Sequence, residues 1–238
     1  MKTTPFGALA IAFFLSFCAS AQTVDEIIDK HVTALGGLDK LNGVKSLYTE
    51  RTLSVQGMEI PNKTTVVVGK AIRSESVIME SPMVQVLTGA TGWMIRPSMM
   101  GGSGKPEDMP ADMVKQQISQ LDPFGPLVNY REKGHKVDLV GQEKIDGKDV
   151  YHLRITTKEG QVVDEFIDAG SNLIRKVRMT FNGQPGEMFF ADYRDVEGIK
   201  FANKMEMAND QAGTLIFTTN KVTINAPVDD AIFQKPGQ

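Results

Sequence analysis

KTTVVVGKAIRSESVIME, residues Lys63 to Glu80, decides how this chain is read. Thr64 to Val68 is an unbroken β-branched run, and branching at Cβ favours extended backbone. Beyond Gly69 the period becomes two: Ile72, Ser74, Ser76 and Ile78 alternate with Arg73, Glu75, Val77 and Met79. Two strands joined by a glycine turn satisfy both patterns.

The same texture spreads outward. Lys45–Gln56, Glu59–Val68, Lys70–Glu80, Val84–Thr88 and a short Gly92–Arg96 read as strands on the N-terminal side. Lys136–Ile145, Asp149–Thr157, Gln161–Asp168, Asn172–Phe181, Glu187–Val196, Ile199–Met207 and Thr214–Ile224 follow. Asp146-Gly147, Asn182-Gly183 and Glu197-Gly198 mark tight turns between them. About 10–12 antiparallel strands result, the pattern of a meandering sheet, sandwich or barrel.

Helical spacing appears in two places. Thr23 and Glu26 form a capping box ahead of Val24, Ile27, Ile28, His31, Val32 and Leu35, which share one face until Gly36-Gly37 ends the helix. A short turn over Leu38–Leu41 is expected next. A second helix is predicted from Asp108 or Met109, with Pro110 in its first turn and a stripe of Met113, Val114, Gln117, Ile118 and Leu121. Phe124–Tyr130 is expected to form another short helix.

The N-terminus reads as an export signal. Lys2 precedes an apolar run from Phe6 to Cys18, shorter than the roughly 20 residues that span a bilayer. Ala19-Ser20-Ala21 fits small-residue cleavage, which places residues 1–21 in the leader and Gln22 at the mature start. Cys18, the one cysteine, would leave with it, so no disulfide, thiolate metal site or thiol nucleophile is expected. The formal charge is −3 and becomes −4 without Lys2. That balance argues against nucleic acid, which needs a basic face.

Catalytic signatures are weak. His31, His135 and His152 stand apart from one another and from acidic pairs at metal-ligand spacing. Gly101-Gly102-Ser103-Gly104-Lys105 lacks phosphate-loop spacing. Glu75, Glu80, Asp164, Glu165 and Asp168 lie on strands, where alternating charge reads as a solvated face. No enzyme, cofactor or metal is therefore expected. Gly92–Met113 is unusual: a loop-like stretch that holds Trp93 and Met94, Met99, Met100, Met109 and Met113. Thioethers suit Cu(I), but no histidine lies there. Methionines also recur at strand positions such as Met179, Met188, Met205 and Met207, which suits adaptable apolar packing. A greasy lid over a ligand is the preferred reading, ahead of a plain core junction or a copper site.

Three stretches carry a resemblance: GKAIRSESVIMESPMVQVLTGATGWMIRPS, DEFIDAGSNLIRKVRMTF and NAPVDDAIFQKPGQ. In this order they resemble the strand run, the acidic-turn hairpin and the C-terminal ending of the periplasmic lipoprotein-carrier superfamily, which includes the outer-membrane lipoprotein-sorting proteins. The resemblance implies an α+β fold: an incomplete antiparallel β-barrel, or curved half-shell, with an N-terminal helix and an inserted helical lid over one domain spanning residues 22–238. It implies a non-enzymatic periplasmic carrier, a monomer, whose partners are lipid or lipoprotein acyl chains and the envelope membrane proteins that load or unload them. An interaction module on the same fold, without a ligand cavity, is the alternative. The expected cavity residues are Val66, Val68, Val86, Trp93, Ile95, Met99, Met100, Met113, Ile118, Phe124, Phe166, Met179, Phe181 and Phe217. The family's lid-latching arginine precedes a proline. Its nearest counterparts are Arg73 and Lys70, without that proline, and Arg51 is a second candidate latch.

Overall fold

A computed structural model describes residues 22–181, 184–209 and 213–237. The leader read in residues 1–21 lies outside them. The chain opens with α1 (Val24–Leu35) and α2 (Leu38–Gly43), then runs through β1 (Ser46–Val55), β2 (Met58–Val67), β3 (Ala71–Ile78), β4 (Ser81–Thr88), β5 (Thr91–Ile95) and β6 (Pro106–Asp108). An insert carrying α3 (Ala111–Gln117) follows. Then come β7 (Lys136–Ile145), β8 (Lys148–Thr156), β9 (Val162–Asp168), β10 (Ile174–Phe181), β11 (Gln184–Val196), β12 (Ile199–Asn209) and β13 (Gly213–Ile224).

All thirteen strands among the described residues form one antiparallel sheet, ordered β6-β5-β4-β3-β2-β1-β13-β12-β11-β10-β9-β8-β7. Two meanders, β1–β6 and β7–β13, are thus joined where β1 pairs β13, from Leu47 opposite Ile224 to Ser54 opposite Ile216. The free edges are β6 and β7, and the insert of residues 109–135 carries the chain from one edge to the other. The fold is the expected incomplete antiparallel barrel with an N-terminal helix and a helical insertion.

Helices cover one face of the sheet, called here the inner face. The capping box at Thr23 forms as expected, with Glu26 N–H donating to Thr23 Oγ1 and Thr23 N–H to the Glu26 carboxylate. Ile27 and Ile28 of α1 pack on Leu153, Ile155, Val163, Ile167 and Val177 of β8–β10. Val114 and Leu121 of the insert pack on Leu47, Val66, Ile72, Leu87 and Met94 of β1–β5. Between them Leu35, Leu41, Val44, Val128 and Ile199 close one end of the shell. Two glycines permit close approach. Gly36 has φ +140°, and a Cβ there would lie 2.5 Å from the Gly198 carbonyl oxygen. A Cβ on Gly92 would meet the Met109 sulfur at 3.0 Å, so a bare backbone lets the insert settle on β5.

The sequence reading departs from the structure in three places. Pro106–Asp108 is a strand, because it pairs with Trp93–Ile95 and because Pro110 favours extended backbone ahead of it. The helix accordingly starts later, at Ala111. Phe124–Tyr130 is a series of turns: Pro123, Gly125 (φ +78°) and Pro126 forbid a helix there.

The C-terminal segment covers part of the outer face. Phe233, Ile232 and Val228 pack on Ala71, Val84, Val86, Trp93 and Ile95. Trp93 Nε1 donates to the Phe233 carbonyl at 2.8 Å, and Arg73 Nη1 donates to the Ile232 carbonyl at 2.7 Å. Phe233→Ala is expected to cost about 3 kcal/mol and to red-shift emission from Trp93, the single tryptophan. Urea unfolding followed by Trp fluorescence checks both.

Candidate functional site

Directly opposed residues in a sheet share a face, so the strand register assigns the inner face residue by residue. Val177 of β10, packed against α1, faces Met188 of β11, and Met188 faces Met207 of β12. Phe190 faces Met205. Met207 and Met205 face Leu215 and Phe217 of β13, Phe217 faces Leu53 of β1, and Leu53 faces Ile60 of β2. Six adjacent strands therefore contribute one continuous apolar floor. Each of its side chains from Met188 to Ile60 is half-buried. The floor occupies the end of the shell away from α2, and at its β10–β11 border Met179 and Phe190 pack against the core beneath α1. The floor's side chains remain partly open to solvent.

Towards the helix-covered end the inner face becomes polar. Thr49 and Arg51 of β1, Asn62 and Thr64 of β2, Ser74 and Ser76 of β3 and Thr219 of β13 lie there by register. Asn62 Nδ2 donates to Ser74 Oγ at 2.9 Å and Ser76 Oγ at 3.1 Å, and Thr64 donates to Asn62 Oδ1 at 2.9 Å.

The residues expected to line a cavity divide three ways. Met179 and Phe217 share the face and the end of the floor. Phe181 has the same parity on β10, and its side chain lies outside the described ones. Val66, Met113 and Ile118 are on the inner face but packed between insert and sheet. Val68 and Phe124 line a cleft of about 370 Å³ at the closed end, together with Leu41, Val44, Lys70 and Lys133.

Four others are corrected by parity. Val86, Trp93 and Ile95 point to the outer face, under the C-terminal segment. Phe166 is also outside, opposite Lys176 of β10, stacked on His152 with ring centroids 4.3 Å apart and capped by Lys176 Nζ at 4.3 Å. Met99 and Met100 form a 3₁₀ turn, Ser98–Met100, and are 56% and 48% exposed. Gly102 brings that loop back against Arg96, so it folds along the open rim rather than across the trough.

None of the three candidate latches holds the insert by its side chain. Arg73 is on the outer face, paired with Glu75 and the C-terminal segment. Lys70 is exposed at the closed-end cleft. Arg51 lies on the inner face with its Nε buried and unpartnered. The insert is held instead by Asp25 of α1, which accepts from Tyr130 Oη at 2.5 Å and pairs with Arg131 at 2.5 Å. Lys133 ties Asp122 and the Gly125 carbonyl at 2.5 and 2.9 Å. Sequence spacing gave no sign of these partners, since Asp25 and Tyr130 lie 105 residues apart.

Electrostatics single out Glu165. It looked like a solvated carboxylate, yet β9 turns it inward between Val163 and Ile167, and it is 3% exposed. Burial, reinforced by Asp122 and partly offset by Lys133, pushes its carboxyl from an ordinary 4.5 up to about 8. Tyr193 is raised as well, by burial and by Glu165. Asp164, on the outer face, behaves oppositely. Burial raises it, but Arg154 at 2.8 Å and Arg178 at 2.8 Å overcome that and hold it well below the usual carboxylate range.

The folded chain thus keeps a proton on Glu165 that the unfolded chain releases near pH 4.5. Its contribution to stability is complete below that pH and is lost as the pH rises to about 8. Glu165→Gln is expected to flatten the thermal stability profile across this window and to melt above wild type at about pH 8.5. Thermal denaturation followed by circular dichroism from pH 4 to 9 checks it.

No protein-family model matches the sequence, and no curated protein does. Solved structures share the fold. A DUF1329 family protein from Desulfovibrio piger aligns with a TM-score of 0.59 at 16% identity, over 89% of this chain and 97% of its own. A putative outer membrane lipoprotein-sorting protein domain from Vibrio parahaemolyticus gives 0.55 at 15% identity, over 88% and 95%. A LolA superfamily protein from Nitrosomonas europaea gives 0.57 at 14% identity, over 90% and 99%. The resemblance read from the sequence therefore holds at the level of the fold: the chain shares the incomplete antiparallel barrel of these three structures.

Proposed function

We propose that this protein is a non-enzymatic carrier or binder of lipid or lipoprotein acyl chains at the cell envelope, with the chain lying along the floor of the open half-shell. The observation that carries this reading is the continuity of Met188, Phe190, Met205, Met207, Leu215, Phe217, Leu53 and Ile60 across five strands, all half-buried. An ordinary core would bury such residues fully. A contiguous apolar surface left open to solvent marks an interaction site. Thioethers on that floor adapt to chains that bend and vary, which rigid aromatics do not. Each buried methylene contributes about 0.8 kcal/mol, so a long acyl chain can bind by contact with the trough alone.

The export signal read in residues 1–21 and the fold shared with an outer membrane lipoprotein-sorting protein domain support a periplasmic location. Envelope membrane proteins that deliver and accept the cargo are the expected partners, and the carrier works as a monomer. The turns at the rim display Met58, Met79, Met99 and Met100, so the approach to the trough is itself apolar.

Native mass spectrometry of the mature protein from its own envelope, followed by lipid extraction, tests the reading directly. A co-purified acylated ligand of defined stoichiometry is expected. An apo mass combined with no displacement of a fluorescent fatty acid would move the floor to a protein-docking role. Phe217→Asp or Met205→Asp is expected to weaken fatty-acid binding at least about tenfold, because each places a charge in the trough. Met100→Asp, exposed on the rim, is expected to leave binding within about twofold.

A further inference from the structure

Arg51 differs from Arg96 and Arg175, whose Nε atoms are also buried and unpartnered but which form ion pairs through Nη2. It is the sixth residue of β1, opposite Asn62 of β2 on one side and Thr219 of β13 on the other. Its Nε is buried without a hydrogen-bond partner. Burial alone lowers its pKa, with no acidic neighbour acting on it. A guanidinium carries five N–H donors and stays charged, so holding it half-buried without an ion pair among the described residues, its Nε dry, is costly.

Among the described residues, its surroundings offer it no partner. Asn62 turns its amide towards Ser74, Ser76 and the Glu75 carbonyl, and its oxygen accepts from Thr64. Thr219 donates to the Ala202 carbonyl. Glu107, Asp108 and Asp122, in and beside the insert, are committed to Arg96, Lys235 and Lys133, and Asp112 is exposed near Lys115. Thr49, one inner-face step from Arg51, is 2% exposed, and its hydroxyl also lacks a partner. Two adjacent polar side chains thus hold unused hydrogen-bonding capacity at one spot.

That spot has a particular address. One inner-face step beyond Arg51 on β1 is Leu53, where the apolar floor begins. From β1 the floor runs across β13, β12 and β11 to β10, four strand spacings or about 19 Å. A cation beside an apolar floor of that length matches an amphiphile with one acidic end.

We propose that Arg51, assisted by the Thr49 hydroxyl, receives the oxyanion of the bound amphiphile, a carboxylate or a phosphate ester, while its acyl chain lies on the Met/Phe floor. The inference rests on the reading of that floor as an acyl-binding surface. Arginine suits the task because its planar fork meets either oxyanion through two parallel charge-assisted hydrogen bonds. A ligand of this kind supplies the counter-charge that the chain itself withholds, so the site is completed by its cargo. Neutral acyl esters, such as the triacyl end of a lipoprotein, would use the floor but not Arg51, so the arginine sorts acidic single-chain lipids from neutral ones.

Displacement of the neutral probe N-phenyl-1-naphthylamine from the mature protein tests this, with palmitate, palmitoyl lysophosphatidate, methyl palmitate and inorganic phosphate as competitors. Wild type is expected to prefer the two acidic lipids over methyl palmitate by about tenfold or more. Arg51→Met is expected to abolish that preference while methyl palmitate binds as before, and Arg51→Lys is expected to restore part of it. The larger loss between palmitate and lysophosphatidate names the headgroup. Equal binding of acid and ester by wild type, or an equal loss of both in Arg51→Met, would overturn the proposal and leave the acyl-binding floor standing. Protection against thermal unfolding by inorganic phosphate, lost in Arg51→Met and without any preference among the lipids, would reassign Arg51 to a free ion. Failure of every lipid to displace the probe would remove the acyl-binding reading itself.

Discussion

The antiparallel pairing of β1 with β13 holds this architecture together. It is a contact between the first strand and the last, and it turns two separate meanders into one sheet. Without it the floor would have no continuity, because Leu53 and Phe217 meet across that seam. The same pairing fixes where the sheet does not close. With β1 and β13 at the centre, the free edges must be β6 and β7, and the chain between those edges must cross the opening. The insert covers the shell because the topology leaves it no other route.

The two halves of the inner face then part company. Near α2 the helices fill the shell and residues such as Ile27, Leu87 and Leu127 are almost wholly buried. Towards the far rim the apolar side chains of the same strands stay half in water. The packed half supplies stability, so the other half can leave apolar surface exposed at a cost the fold can carry. Arg51 stands where the two meet, with Glu165 further round the shell beneath the loop that ends the insert.

Much of this was legible in the sequence. β-Branched runs, two-residue alternation and glycine turns located the strands to within a few residues, because those signals are local. The capping box and the stripe of α1 were equally plain. The inner face was harder, because it depends on which parity the helices cover. In β4 and β5 both faces are apolar: one meets the insert, the other the C-terminal segment, so Val86, Trp93 and Ile95 look no different from Leu87 and Met94. Along β9, Phe166 looks inward by composition and Glu165 outward, yet register reverses both. Only partner strands settle such cases. The strand methionines were noticed and set aside as packing, since nothing local says that residues 188, 205 and 207 will stand side by side.

That thioether floor has a chemical consequence. Cys18 is the one cysteine of the sequence, so residues 22–238 contain no thiol to absorb oxidants. Met188, Met205 and Met207 are half-exposed along the trough, while Met94 and Met109 are shielded at 5% and 7% exposure. Oxidants reaching the protein would therefore convert the floor before the core. Each sulfoxide adds a polar, chiral oxygen to an apolar wall and is reversed only by dedicated reductases. Under oxidative stress the fold would survive while this floor changed from oil-like to water-like, so binding through it would depend on methionine repair.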